Sequence, residues 1–176
     1  MLCPICKKTL EKILLCNTEV DFCPDCLGLW FEKDELRQAK DNKDKNINWL
    51  DIDLWKDKEK LKIASGQKLC PNCRLPLYEV QYSDSGVKVD ICNICEGIWL
   101  DRGEFKKIID YLRKKADYEI LNKYAKNLFL ESTEVFSGPE TLREEVDDFL
   151  TILKLLNYKL TVQHPHLAKL ISSTPK

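Results

Sequence analysis

Nine cysteines stand in this 176-residue chain, and eight of them fall into four Cys-x-x-Cys pairs. Cys3/Cys6 and Cys23/Cys26 form one set of four; Cys70/Cys73 and Cys92/Cys95 form the second. Sixteen residues separate the pairs of the first set and eighteen those of the second. This is the spacing of a four-thiolate zinc site, in which two chain knuckles meet at one tetrahedral ion. Four protein ligands would close each site, so the zinc expected here is structural rather than catalytic.

The residues around the cysteines repeat as well. Leu2-Cys3-Pro4-Ile5-Cys6 matches Leu69-Cys70-Pro71-Asn72-Cys73. Val20 to Phe31 matches Val89 to Leu100, with Gly28 and Trp30 in the places of Gly97 and Trp99. Each copy then enters an acidic stretch, Glu32-Lys33-Asp34-Glu35-Leu36 or Asp101-Arg102-Gly103-Glu104-Phe105. Such agreement marks an internal duplication. A copy of about 35 residues is too small for a self-sufficient core, and coordination supplies the missing stability.

Disulfides are the competing use of so many cysteines. The odd count, the Cys-x-x-Cys pairing and the lack of a secretory signal argue against them. The expectation is a soluble cytoplasmic protein, with no apolar run of membrane-spanning length. Iron is the alternative metal, since a four-sulfur tetrahedron also suits it. A rubredoxin-like iron site has Gly directly after the second Cys of a knuckle, whereas Gly28 and Gly97 come one position later. A redox dithiol is disfavoured because four pairs matched two by two leave none spare.

Cys-Pro-x-Cys, a hairpin, then Cys-x-x-Cys-x-Gly-x-Trp-Leu/Phe-Asp-x-x-Glu-Leu resembles the transcription factor IIB-type zinc-ribbon family, common in bacterial proteins. Cys92 to Phe105 fits almost throughout; the first copy has Glu32 where the family has Asp and Asp34 where Gly is usual. The resemblance implies a zinc-ribbon fold with Cys3, Cys6, Cys23, Cys26, Cys70, Cys73, Cys92 and Cys95 as ligands of two zinc ions. It covers about two fifths of the chain and implies little about activity.

The elements that hold these residues follow from local pattern. Tyr78–Tyr82 and Val87–Asp90 alternate around Ser83–Gly86 as a hairpin, and Ile13–Leu15 and Glu19–Phe22 do so around Asn17-Thr18. Cys16 lies near that turn without a counterpart and reads as a free thiol. Gly28 and Gly97 follow the second knuckle, where a positive φ would favour glycine. Trp30 and Trp99 are expected to cover the small core of the ribbon, with partner binding as the alternative. The spacing of Glu32/Glu35 and Asp101/Glu104 predicts helix starts at which a carboxylate reaches back.

Residues 37–68 form a charged connector whose Asn48–Trp55 stretch, with Trp49 and Trp55, is expected to dock; Lys56–Lys62 should be solvated helical turns. Phe105, Ile108, Ile109, Leu112, Ala116 and Ile120 keep one helical face. The face then moves round to Leu121, Tyr124, Ala125 and Leu128, so the helix either breaks near Asp117 or packs on two surfaces. Ser137-Gly138-Pro139-Glu140 signals a second helix carrying Leu142, Val146, Phe149, Leu153 and Leu156. His164-Pro165-His166 should open a last short helix to Ile171.

Charge discriminates among functions. Residues 1–36 and 69–104 each carry −3, the connector +3 and residues 105–176 +2. Two four-thiolate zinc sites would take each ribbon to about −5. An acidic ribbon is a poor phosphate binder. Lys106, Lys107, Arg113 and Lys114 form a basic helix face that could bind phosphate, although such faces are usually solvated. There is no phosphate-cradling glycine loop, no serine elbow and no Cys-His nucleophile outside the ligand set.

The sequence therefore predicts a small α+β protein: ribbons at 1–36 and 69–104, the 37–68 connector, and a helical region at 105–176. Its expected role is a non-catalytic, zinc-binding interaction module with a protein partner. The alternative is a transcription-related nucleic-acid binder using the basic helix over 102–126.

Overall fold

The computed structural model describes residues 1–52, 63–135 and 142–165. Two compact units divide the chain, Met1–Ala116 and Asp117–Lys176. Both ribbons lie in the first.

Seven strands build one antiparallel sheet: β1 Glu11–Leu15, β2 Thr18–Phe22, β3 Leu29–Phe31, β4 Ile63–Leu69, β5 Pro76–Tyr82, β6 Val87–Ile91 and β7 Ile98–Leu100. Their order across the sheet is β1-β2-β3-β7-β6-β5-β4. The two ribbons are thus halves of a single sheet. The seam is β3 on β7, where Leu29 faces Leu100, Trp30 faces Trp99 and Phe31 faces Ile98. Equivalent residues of the two copies meet antiparallel, as in a two-fold dimer folded from one chain.

Strand alternation separates the two faces of this sheet. Val20, Phe31, Ile98, Leu100, Val80, Val87, Val89 and Ile91 join one buried apolar cluster. Trp30 and Trp99, one residue out of phase, belong to a second cluster with Leu10, Leu77 and the cysteines. On the first face lie α1 (Glu35–Lys43), the connector, and the start of α2 (Glu104–Val135). Phe31 of the first ribbon stacks on Phe105 of α2, ring centroids 5.8 Å apart. One core therefore serves both ribbons, which relieves each from needing its own.

The connector docks as its apolar residues require. Ile47, Leu50 and Ile52 are buried in the shared core. Trp49 is instead 52% exposed, its indole N–H donating to the Asn46 carbonyl at 2.9 Å. Lys40 fixes this segment. Its fully buried ammonium donates to the carbonyls of Ile47 (3.1 Å), Asn48 (3.3 Å) and Leu50 (2.6 Å). Three carbonyls use its three protons, so Asp41, 2.8 Å away, supplies charge rather than a hydrogen bond. Lys40→Met should cost about 2–4 kcal/mol in urea unfolding, because it strands buried carbonyls without a donor.

Several expectations are corrected. The first hairpin turns at Cys16-Asn17, with φ 49° and 65°, rather than at Asn17-Thr18. Residues 63–68, read as connector, belong to edge strand β4, whose Gly-Ser-Gln composition gives little alternation. Of the two alternatives left open near Asp117, the unbroken helix holds: α2 is continuous, burying Phe105, Ile108, Ile109, Leu112 and Ala116 in the first unit. In the second unit α3 spans Leu142–Gln163. Trp55, Lys56–Lys62, Ser137–Glu140, the Phe149 side chain and His166–Ile171 lie outside the described residues.

Candidate metal centres

The four knuckles share one backbone pattern. The first cysteine of each donates its N–H five residues ahead: Cys3 to Lys8 (2.7 Å), Cys23 to Gly28 (2.9 Å), Cys70 to Leu75 (2.8 Å) and Cys92 to Gly97 (2.9 Å). The residue after the second cysteine is left-handed every time: Lys7 φ 62°, Leu27 59°, Arg74 61°, Glu96 57°. The positive φ expected at Gly28 and Gly97 is therefore one position too late, and falls on side-chain-bearing residues. Each costs about 1 kcal/mol relative to glycine. Leu27→Gly should accordingly raise stability in denaturant by about that amount.

These turns bring all eight predicted cysteines together in two groups. Within Cys3, Cys6, Cys23 and Cys26, and within Cys70, Cys73, Cys92 and Cys95, every sulfur lies within 4.8 Å of the others. Cys3 and Cys26 sulfurs are 3.6 Å apart, as are those of Cys70 and Cys95. A tetrahedron with zinc–sulfur bonds of about 2.3 Å has edges of about 3.8 Å. Disulfides would pair sulfurs by twos and give no reason for four to converge. Backbone N–H groups also point at the sulfurs, Cys6 to Cys3 and Cys73 to Cys70, both at 3.2 Å. Two buried and two half-buried thiols per site thus fit one zinc ion each. Cys16 belongs to neither group.

Without a cation, four crowded thiols cannot all ionise. Burial pushes Cys26 and Cys70 up, and hydrogen bonding to Cys95, with burial, pushes Cys73 up to about 11. Cys23 and Cys92 are held below the ordinary thiol value. Burial opposes this, but donors from the backbone two and three residues on and from neighbouring thiols outweigh it. A divalent ion at the centre would remove the mutual repulsion that holds the others neutral.

The tryptophans lock the two centres to one another. A Cβ at Gly28 would lie 2.1 Å from the Trp99 ring, and one at Gly97 2.2 Å from the Trp30 ring. Each indole covers the knuckle glycine of the other copy, and both also lie in the small core they were expected to cover, one cluster with Leu10, Leu77 and the cysteines of both ribbons. Both rings are fully buried. Lys33 of the first ribbon also pairs with Glu96 of the second at 2.8 Å. Sequence reasoning missed this exchange, because repeated Gly and Trp look the same whether packing is within or between copies.

Both carboxylates predicted to reach back do so. Glu35 accepts the Glu32 N–H and Glu104 the Asp101 N–H, each at 2.8 Å. Asp34 and Gly103 precede the helices with φ 67° and 83°, so the Asp in place of Gly preserves the backbone. Glu32 in place of Asp has a larger effect. Asp101 accepts the Trp99 indole N–H at 2.7 Å and binds Lys68 at 2.8 Å. The buried Trp30 indole N–H has no partner among the described residues.

Of the basic helix face, Lys106, Lys107, Arg113 and Lys114 are all exposed. Arg113 is engaged, however, bonding Asp44 at 2.7 Å. Asp44 is held below the usual carboxylate range: burial works against this, but Arg113 and the Asn46 N–H prevail.

The family whose description is "Transcription factor zinc-finger", the transcription factor IIB zinc ribbon, matches residues 2–42 and 69–111. Both matches run past the last knuckle into the following helix. No curated protein and no solved structure matches the chain. Zinc ribbons of this kind are generally non-catalytic. With two convergent cysteine tetrads and a match over each copy, residues 2–42 and 69–111 are tandem zinc ribbons of the transcription factor IIB type.

Proposed function

We propose that the eight cysteines hold two structural zinc ions and that the protein is a non-catalytic module for binding another protein in the cytoplasm. The observation that carries this reading is the fusion of two acidic ribbons into one sheet around closed four-thiolate sites. Such sites leave no position for a reacting water. Each ribbon carries −3 before its metal, which disfavours contact with phosphates. In the second unit Tyr118, Leu155, Tyr158 and Val162 are exposed, supplying apolar surface of the kind protein partners cover.

Nucleic-acid binding through α2 is the second reading, favoured by exposed Lys106, Lys107 and Lys114. Arg113 serves it less well, since Asp44 already neutralises it. A tagged pull-down with and without nuclease tests the two. Nuclease-resistant recovery of a stoichiometric protein is expected. Nuclease-sensitive recovery with bound DNA or RNA, weakened steeply by salt and by Lys106→Glu/Lys107→Glu, would reverse the assignment.

A further inference from the structure

A cavity of about 540 Å³ opens where the first knuckle of one ribbon meets the outer strands of the other. Pro4 and Ile5 form one wall; Gly66, Gln67 and Lys68 of β4, with Glu79 and Asp90, form the opposite one. Asp90 faces Trp99 across β6 and β7, which puts the cavity on the same side of the sheet as the cysteines. Its volume is in the range of ligand-binding cavities.

The duplication shows what is unusual about its charges. In the first ribbon Lys12 faces Asp21, a base opposite an acid; in the second the same register sets Glu79 opposite Asp90. The diagonal ion pair survives with its signs exchanged, Lys12–Glu19 becoming Glu79–Lys88. Two acids are left directly opposite each other, an arrangement that destabilises a sheet, and Asp90 is only 6% exposed. Lysines of the chain offset this in part. Lys88 bonds Glu79 Oε1 at 2.7 Å, and Lys68 bonds Asp90 Oδ2 at 2.7 Å while also holding Asp101 at 2.8 Å. Each acid thus spends one oxygen, leaving Glu79 Oε2 and Asp90 Oδ1. Gly66 keeps the latter uncovered, since a Cβ there would lie 3.5 Å from Asp90 Oδ1. Three carboxylates stand against two ammonium groups, beside a four-thiolate zinc site of about −2. Across the cavity Ile5, 45% exposed, and Pro4 offer apolar surface.

We propose that this cavity receives a lysine or arginine side chain of a partner protein, its stem along Pro4 and Ile5 and its cationic head on Glu79 Oε2 and Asp90 Oδ1. Long basic side chains lay their methylenes on apolar surface while the charged head reaches a polar site. Charge-assisted bonds to carboxylates are the strong ones, and the guest relieves the opposition of Glu79 and Asp90. The negative excess repels an acidic guest. This proposal rests on the interaction-module reading and names the place where the partner is held.

The test titrates acetyl-Gly-Lys-Gly-amide and acetyl-Gly-Arg-Gly-amide into the zinc-loaded full chain, followed by amide resonances. Saturable shifts at Ile5, Gln67, Glu79 and Asp90 are expected with at least one of them. The norleucine peptide, which keeps the stem and lacks the charge, should give none. Glu79→Gln should weaken binding at least fivefold, and Glu79→Lys, which copies the Lys12 arrangement of the first ribbon, should abolish it. The Glu79 side chain is 40% exposed, so both variants should keep two zinc ions and the strand signal. Should Glu79→Lys lose them, the isosteric Glu79→Gln carries the test. Equal binding of the norleucine peptide, shifts elsewhere or indifference to Glu79→Gln would overturn the proposal. So would propylammonium binding as tightly as the lysine peptide, which would assign the cavity to a free amine. In the pull-down, Glu79→Lys should lose the captured protein. A protein that this variant retains in full removes the cavity's role while the interaction reading stands; capture of no protein removes the interaction reading and the proposal with it.

Discussion

Gly28→Ala should destabilise the first unit by about 3 kcal/mol or more, and Gly97→Ala should do the same. Overpacking a rigid core usually costs about 1–3 kcal/mol, and these sites lie at the upper end. The new methyl would meet an indole ring at 2.1 or 2.2 Å. Neither Trp99 nor Trp30 can retreat, because both are fully buried at the seam. The pairing is crossed, so the rescue must be crossed as well. Trp99→Leu should partly restore Gly28→Ala but not Gly97→Ala, and Trp30→Leu the reverse. Thermal or urea unfolding of the four double variants measures this. Rescue within a copy instead of between copies would contradict the exchange.

The second large effect concerns the metals. Replacing one ligand, Cys92→Ser for example, should lower the zinc content by one ion and also loosen the intact site. Structural zinc contributes about 10–16 kcal/mol to small domains folded by it, against a typical whole-domain stability of about 5–15 kcal/mol. The other ribbon would lose the partner of β3, the cover over Gly28 and half the apolar cluster it shares. A chelator titration should thus release both zinc ions in one cooperative transition, with loss of the strand signal by circular dichroism. Two independent releases, each leaving the other ribbon's amide spectrum intact, would show that the shared sheet does not couple the sites. Retention of both folds after complete chelation would remove the structural-zinc reading.

How much of this was legible beforehand follows the range of the interactions involved. Metal ligation leaves a mark in sequence because a four-thiolate site needs cysteines at fixed short spacings, twice over. The hairpin around Ser83–Gly86, the reach-back of Glu35 and Glu104, and the buried stripe from Phe105 to Ala116 are local or periodic. They could be read for the same reason. The positive φ assigned to Gly28 and Gly97 went astray because glycine has two uses, backbone freedom and lack of a side chain. Only a neighbour in space distinguishes them, and here it is a tryptophan about seventy residues away in the chain. β4 escaped notice because Ala-Ser-Gly-Gln carries almost no hydrophobic alternation; its place comes from an available edge on β5.

By itself the sequence determined the duplication, the two sets of four cysteines, the ribbon type and the acidic balance of each copy. All are properties of residue type and spacing within one copy. Tertiary structure decided that the copies share a sheet, that each indole seals the other's knuckle, and that Lys40 pins the connector. It also decided that β4 covers the outer edge of the second ribbon. These depend on contacts between segments far apart in the chain, and composition places no constraint on which of two identical partners a tryptophan meets.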